Sequence, residues 1–255
     1  MIFITGDTHS DVSRRLSAEA FPEQKTMTKD DYILICGDFG VVWQQEETKI
    51  EKYWLDWLNA KPFTTLFVDG NHENHARLDQ MPVQSWHGGK VHYLRPSVIH
   101  LMRGQYFEDV DGCSIFSFGG ARSHDIVHLL NPADPGFKDE KKSLNKGGVF
   151  YRIINETWWA REMPDKSEMD EGCRNLTAHD NEVDFIVSHE APQSLFLHYY
   201  RMQPWLAQQE DPLRSYLEEL HQTVEYRYWF FGHHHDNVRF NLHDMLIYEQ
   251  IVRVN

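Results

Sequence analysis

The sequence predicts an α/β chain: parallel buried strands with helices on their faces, then a second sheet of antiparallel strands. Three observations carry this. Apolar runs of β-formers alternate with helical periods at the start of the chain, and a β-α-β-α-β order gives parallel strands. From Trp86 to Phe118, short apolar segments alternate with Gly, Pro and Asp without a helical period between them. Five apolar runs end in residue types that bind metals.

The first run, from Ile2, stops at Gly6 and is followed by Asp7–Thr8–His9. Val12, Leu16 and Ala20 are spaced for one helix face, with Asp11 placed as the N-cap. Tyr32–Cys36 reads as the second buried strand and ends at Gly37–Asp38. Ile50, Tyr53, Trp54, Trp57 and Leu58 fall at i, i+3, i+4, i+7 and i+8, which predicts an amphipathic helix with both tryptophans in the core. Leu66–Val68 is the third strand, ending at Gly70–Asn71–His72–Glu73.

Val91–Leu94, Val98–Leu101, Gln105–Phe107 and Ser114–Phe118 are the expected antiparallel strands of the second sheet. Residues 131–180 are polar and hold Pro132, Pro135 and Pro164 and the charge cluster Lys138–Lys142. They read as an insertion, part loop and part helix, lying over one edge of a single domain covering residues 1–255. Trp158–Trp159 within it reads as packing. Phe185–Val187 resumes the strand pattern and ends at Ser188–His189. Leu213, Tyr216, Leu217 and Leu220 mark another helix face. Tyr228–Phe231 is a further strand, ending at Gly232–His233–His234–His235. Val238–Phe240, Met245–Tyr248 and Ile251–Val254 close the chain as short antiparallel strands.

Composition narrows the function. At 255 residues and 41% hydrophobic content a sizeable core can form. The formal net charge of −14 argues against a protein held on nucleic-acid backbones, which need clustered Lys and Arg. Nucleic acid is therefore not the expected partner, and a small phosphorylated substrate drawn to a local metal site is. Cys36, Cys113 and Cys173 are widely spaced and form no C-x-x-C, so reduced thiols are expected. The chain enters a strand at once and nowhere holds a long apolar segment. No signal peptide and no membrane span are expected, and a cytoplasmic location is.

The five strand ends supply Asp7 and His9, Asp38, Asn71 and His72, His189, and His233 and His235. In open α/β sheets ligands bind beyond the carboxyl ends of the strands, so parallel strands would bring these loops to one edge. Carboxylate, imidazole and amide oxygen suit manganese, iron or zinc rather than a soft thiolate site. Eight such groups, seven with His72 set aside, are too many for one such ion and suit two that share a bridging carboxylate. His233 and His235, alternate residues leaving a strand, would face the site while His234 points aside. Arg122 and His124 follow a Gly-Gly bend expected to face it too. Two divalent ions beside two carboxylates and a bridging hydroxide leave the centre at roughly +1, which a phosphate ester satisfies.

Together, D-x-H, G-D, G-N-H-E, S-H-x-x-P and G-H-x-H, in this order, resemble the calcineurin-like metallophosphoesterases. The resemblance implies a four-layer αββα sandwich, two mixed sheets flanked by helices, with a dinuclear centre at one edge. It implies one metal on Asp7, His9 and His235, the other on Asn71, His189 and His233, and Asp38 bridging. Manganese is the first choice of metal, with iron or zinc as alternatives. His72 would protonate the leaving group after attack by a metal-bridging hydroxide on a phosphomonoester, a nucleotide or a small phosphodiester. Phe118–Ala121, Ser123, Asp125 and Trp158–Trp159 are similar to a bacterial and phage branch of that family.

Two departures qualify the transfer. Family members reading G-D-x-V-D-R-G carry an Asp that orients the catalytic histidine and an Arg that holds phosphate. This chain reads Gly37–Asp38–Phe39–Gly40–Val41–Val42–Trp43 and has neither, which weighs against a protein phosphatase. The acidic balance weighs against a nuclease. The same loss keeps a second reading open, a metal-bound regulatory or scaffold protein of the same fold with little turnover. Ser10 also replaces the glycine usual after D-x-H, so that loop is expected to avoid a glycine-only backbone conformation.

Overall fold

The computed structural model describes residues 1–124, 126–201 and 210–255. Asp125, one of the residues behind the branch resemblance, lies outside them.

β1 (Ile2–Thr5), β2 (Tyr32–Ile35) and β3 (Thr64–Phe67) run parallel and are buried along their whole length. Burial on both faces explains their continuous apolar runs. α1 (Val12–Leu16) and α2 (Lys49–Asn59) connect them, and α3 (His75–Leu78) follows β3. The sheet is extended by β4 (Gln84–Trp86), β5 (Gly89–Arg95) and β6 (Val98–Leu101): β6 pairs parallel with β3, and β5 and β4 add antiparallel.

The second sheet begins with the antiparallel pair β7 (Gln105–Val110) and β8 (Cys113–Phe118). A two-stranded ribbon follows, β9 (Leu129–Leu130) with β10 (Arg152–Ile153), with α4 (Phe137–Gly147) between them and then α5 (Lys166–Thr177). β11 (Glu182–Ser188) runs parallel to β8. After α6 (Gln193–Tyr199) and α7 (Pro212–Thr223), β12 (Glu225–Phe231) runs parallel to β11. β13 (Val238–Arg239) and β14 (Asp244–Leu246) complete this sheet, and β15 (Ile251–Arg253) crosses back to pair antiparallel with β1.

Three apolar layers glue the sandwich. Ile4, Leu34 and Leu66 of the first sheet meet Phe107, Ile115, Phe185 and Phe230 of the second. On the first sheet's outer face Ile33, Ile35 and Phe67 pack on Val12, Leu16, Leu55 and Leu58. On the second sheet's outer face Phe116, Ile186 and Trp229 pack on Leu176, Leu217 and Leu220. Burying each such side chain contributes about 1.5–3 kcal/mol. The result is the four-layer αββα sandwich of two mixed sheets.

Several details differ from expectation. The segment after Trp86 does not open the second sheet: β4 to β6 widen the first, and only β7 starts the second. β14 is antiparallel to β13 but parallel to β12. α1 ends at Leu16, leaving Ala20 exposed, and the Asp11 side chain caps no backbone N–H. On α2 the buried residues are Glu51, Leu55 and Leu58, while Ile50 and Tyr53 are 72% and 59% exposed. Leu55 and Leu58 pack on the sheet, and Glu51 is accommodated beside them because Arg77 pairs with it, Nη1 and Nη2 donating at 2.8 and 2.7 Å. Trp54 and Trp57 are only partly buried. Among the described residues no helix is long and apolar enough to cross a membrane.

Candidate metal centre

The loops after β1, β2 and β3 from the first sheet meet the loops after β11 and β12 from the second. The shared edge thus lies between two sheets, not along one. Asp7, Asp38, Asn71, His189 and His233 are each no more than 6% exposed there, while His9 and His235 sit at the mouth.

Donor atoms of Asp7, His9, Asp38 and His235 lie within 4.8 Å of one another, as do those of Asp38, His189 and His233. Asp38 belongs to both clusters. His9 Nε2 is 2.8 Å from His235 Nε2, and His235 Nε2 is 3.2 Å from Asp7 Oδ2. His189 Nε2 is 3.3 Å from Asp38 Oδ1 and 3.3 Å from Asn71 Oδ1. The other ring nitrogen of His189 lies 2.7 Å from the Cys36 carbonyl oxygen. A carbonyl only accepts, so Nδ1 carries the proton of a neutral ring and Nε2 is left to bind.

The backbone is shaped for these approaches. His9, Ser10, Asp38, His233 and His235 have φ of 45°, 64°, 44°, 69° and 50°. Ser10 thus sits at a left-handed φ that favours glycine but that other residues also adopt. His233 and His235 face the site through two left-handed turns rather than through strand alternation. Asp7 accepts from the His233 backbone N–H at 3.0 Å, and Asp38 accepts from that of His72 at 2.8 Å. A Cβ on Gly70 would fall 2.1 Å from Asp38 Oδ1, and one on Gly232 would fall 2.2 Å from Asp7 Oδ1.

Electrostatics point the same way. Burial opposes a charge on His189, but the Asp38 and Asp7 carboxylates more than offset it and hold the ring above its ordinary range. Burial likewise opposes charge on Asp38, yet His189, His72 and His9 keep its carboxyl below the usual range. His235 is raised by its hydrogen bond to Asp7. His9 and His233 are pushed down by burial, against nearby carboxylates. Two buried carboxylates thus call for positive charge at this spot, and convergent imidazole, carboxylate and amide oxygen donors fit hard to borderline divalent ions.

His72 stands at the mouth, its ring centroid 5.0 Å from that of His9. Trp43 stacks on it at 5.7 Å and 24°, and Trp159 meets Trp43 edge-on at 5.2 Å. Trp159 is buried, consistent with packing. His124 lies 5.2 Å from the His233 ring, while Arg122 pairs with Asp211 at 3.3 Å. His234 does point aside, but into the interior, where its Nε2 is 2.9 Å from Glu190.

The sequence reading assigned the supporting residues no role. Glu73 accepts from the backbone N–H groups of Phe39 and Gly40 at 2.7 and 3.0 Å, bracing the loop that carries Asp38. Its place beside His72 in G-N-H-E was the available signal. Asp69, at the end of β3, is held by Arg103 and by His100 at 3.2 Å. Ser123 and Glu162 support Asn71 from outside the five motifs.

The calcineurin-like phosphoesterase family matches residues 1–237. Among curated proteins the chain is similar to lariat debranching enzyme A of Xenopus laevis, 24% identical over 92% of this chain and 42% of that protein. The lariat debranching enzyme of Drosophila pseudoobscura pseudoobscura gives the same figures, and that of Schizosaccharomyces pombe is 24% identical over 69% of this chain and 34% of its own length. The chain thus spans less than half the length of these relatives. Those enzymes act on branched RNA, which overturns the expectation that nucleic acid is not a partner. Net charge speaks to proteins that track long backbones. It says little about a site where a single phosphodiester meets a local cationic centre. The fold and the kind of enzyme read from the five motifs stand: the chain belongs to the calcineurin-like phosphoesterase family.

Proposed function

We propose that the chain is a two-metal phosphodiesterase acting on a phosphodiester between nucleotides. The observation that carries this is the position of Asp38, whose carboxylate is common to both donor clusters. Asp7, His9 and His235 would hold one divalent ion, and Asn71, His189 and His233 the other, with Asp38 between them. Manganese is the first candidate. Two such ions supply Lewis acidity and a water acidic enough to ionise near neutral pH.

The chain's own groups do the rest. The His72 backbone N–H fixes Asp38, so one loop positions both the shared carboxylate and the His72 ring. The His72 imidazole, at the mouth, delivers a proton to the departing oxygen. Trp43 against its face and Trp159 behind limit the ring's freedom and shield one side from water. A diester is preferred over a monoester because the relatives named above open a phosphodiester in RNA. Residues 1–255 are read as one domain, since the proposed ligands run from residue 7 to residue 235, with 131–180 as an insertion framing the site.

The test is hydrolysis of bis(4-nitrophenyl) phosphate and 4-nitrophenyl phosphate with manganese, then of 2′,5′- and 3′,5′-linked dinucleotides. Asp38→Ala should abolish turnover. His72→Ala should lower it about 10²–10⁴-fold with metal content unchanged. Undiminished turnover by the Asp38 variant would end the assignment.

A further inference from the structure

Beside the metal centre lies a cavity of about 630 Å³ that takes no part in the chemistry above. Trp43, Gln44, Gln45, Asn131, Asn155 and Thr157 are among its lining residues. Trp43 belongs to both places, since it lines this cavity and stacks on His72. With His72 as the proposed acid, the cavity lies on the leaving-group side.

Its walls are built rather than accidental. The loop after Asp38 forms one of them. Asn74 Nδ2 donates to the carbonyls of Trp43 and Gln44 at 3.2 and 2.9 Å, and Arg77 donates to Gln44 at 3.0 Å. Asn74 directly follows the G-N-H-E motif and Arg77 lies on α3 just after it, so the Trp43 loop is tied to the segment that carries His72. The β9–β10 ribbon and the turn after it form the opposite wall. Gln45 Nε2 donates to the Asn155 carbonyl at 2.5 Å and bridges the two walls.

The lining chemistry selects the ligand. Among the described residues that line the cavity, Glu156 is the one charged residue, and none is an Arg or Lys that could hold a phosphate there. Beside the apolar Pro132, Ala133 and Ile154, the lining offers an indole, four carboxamides and a hydroxyl. Carboxamides offer paired donors and acceptors that match the edge of a nucleobase, and an indole face stacks on its ring. The volume falls within the about 300–1,000 Å³ of small-ligand sites.

We infer that this cavity is a nucleobase subsite that receives the nucleoside on the leaving-group side of the scissile phosphate. The subsite rests on the phosphodiesterase reading for that orientation, but not for its ability to bind a base. Gln44, Gln45, Asn131 and Asn155 read the base edge and Trp43 stacks on its face. The proposed enzyme thereby favours nucleoside leaving groups over simple aryl or alkyl ones.

Nucleosides carry no phosphate, so they probe the cavity without turnover. Adenosine, guanosine, cytidine and uridine, with ribose as control, are titrated into the metal-loaded protein by calorimetry. At least one nucleoside should bind about tenfold or more tightly than ribose. Gln44→Ala/Gln45→Ala should remove that preference, and Trp43→Leu should reduce it independently. Equal binding of every nucleoside and ribose, or a preference untouched by either variant, overturns the subsite. Hydrolysis of bis(4-nitrophenyl) phosphate by the same preparation separates the two claims. A hydrolytically active protein without nucleoside preference lacks the subsite. An inactive one with a preference that both variants weaken keeps the subsite and loses the phosphodiesterase reading.

Discussion

The Ser123 hydroxyl accepts a hydrogen bond from Asn71 Nδ2 at 3.2 Å and donates its own proton to Glu162 at 2.6 Å. The Ser123 backbone N–H also donates to Glu162, at 2.9 Å. With its nitrogen held from behind, the Asn71 amide turns its oxygen towards His189 Nε2. Glu162 comes from the polar stretch 131–180, so that stretch reaches the back of the proposed ligand set.

Removing this support should loosen the Asn71 oxygen without disturbing the strands. Ser123→Ala is expected to weaken divalent-metal binding by about 10–100-fold, the usual effect of losing a group that orients a ligand. Isothermal metal titration measures it, with circular dichroism as the control for folding. Unchanged affinity would mean that Asn71 needs no such brace.

Gly70 stands where the proposed ligands crowd most closely. A methyl group there would sit 2.1 Å from Asp38 Oδ1 and 2.7 Å from His189 Nε2. Real Cβ atoms do not approach so near, and both neighbours are buried. Gly70→Ala should therefore displace Asp38 and empty the site of metal while the sheets stay folded. Elemental analysis of the purified variant reads the result, and full metal content would contradict it.

Asp69 and Arg103 form a buried ion pair, 2% and 6% exposed, that ties the end of β3 to the 160–162 turn through the carbonyls of Arg161 and Glu162. Asp69→Ala would leave the guanidinium buried without its carboxylate. Breaking such a pair from one side costs about 3–5 kcal/mol, whereas an exposed pair is worth about 0–1 kcal/mol. Urea unfolding should show the large loss for Asp69→Ala and a small one for Lys166→Ala, whose partner Asp170 is exposed.

What the sequence makes legible is local. The buried strands, the five strand-end motifs and the helix over Lys49–Asn59 follow from short-range periodicity, and residues 1–255 supply them in order. Sheet membership does not: β6 and β8 both read as short apolar runs, yet one joins β3 and the other joins β11. That choice is made by long-range pairing, which leaves no trace in a run of four to six residues. Glu51 hides in the same way, because its burial depends on Arg77 from another element. The residues that converge at this edge could be named from motifs. Their left-handed backbone angles could not: Asp and His take positive φ more often than most residues, but that preference is too weak to single out His9, Asp38, His233 and His235, and Ser10 carries no such preference.

The last prediction concerns acid. His75 is buried and pushed down to about 3, by burial first and then by the neighbouring Arg103 charge. His92 is pushed down to about 4, by burial and then by His100. In the unfolded chain each titrates near about 6.5. Below that pH the unfolded state binds protons that the folded state refuses, so stability is full above about pH 6.5 and falls as pH drops towards 3. His189 does not offset this. Its folded value is raised, so its contribution is complete below about pH 6.5 and is lost only as pH rises through the folded value. Urea midpoints in chelator should therefore decline steadily from pH 7 to pH 4.5, with His9 and His233 adding to the slope. His75→Gln removes one of the refused protons and should flatten the decline. A midpoint independent of pH across that range, or an unaltered slope in the variant, would show that these histidines already accept protons in the folded chain.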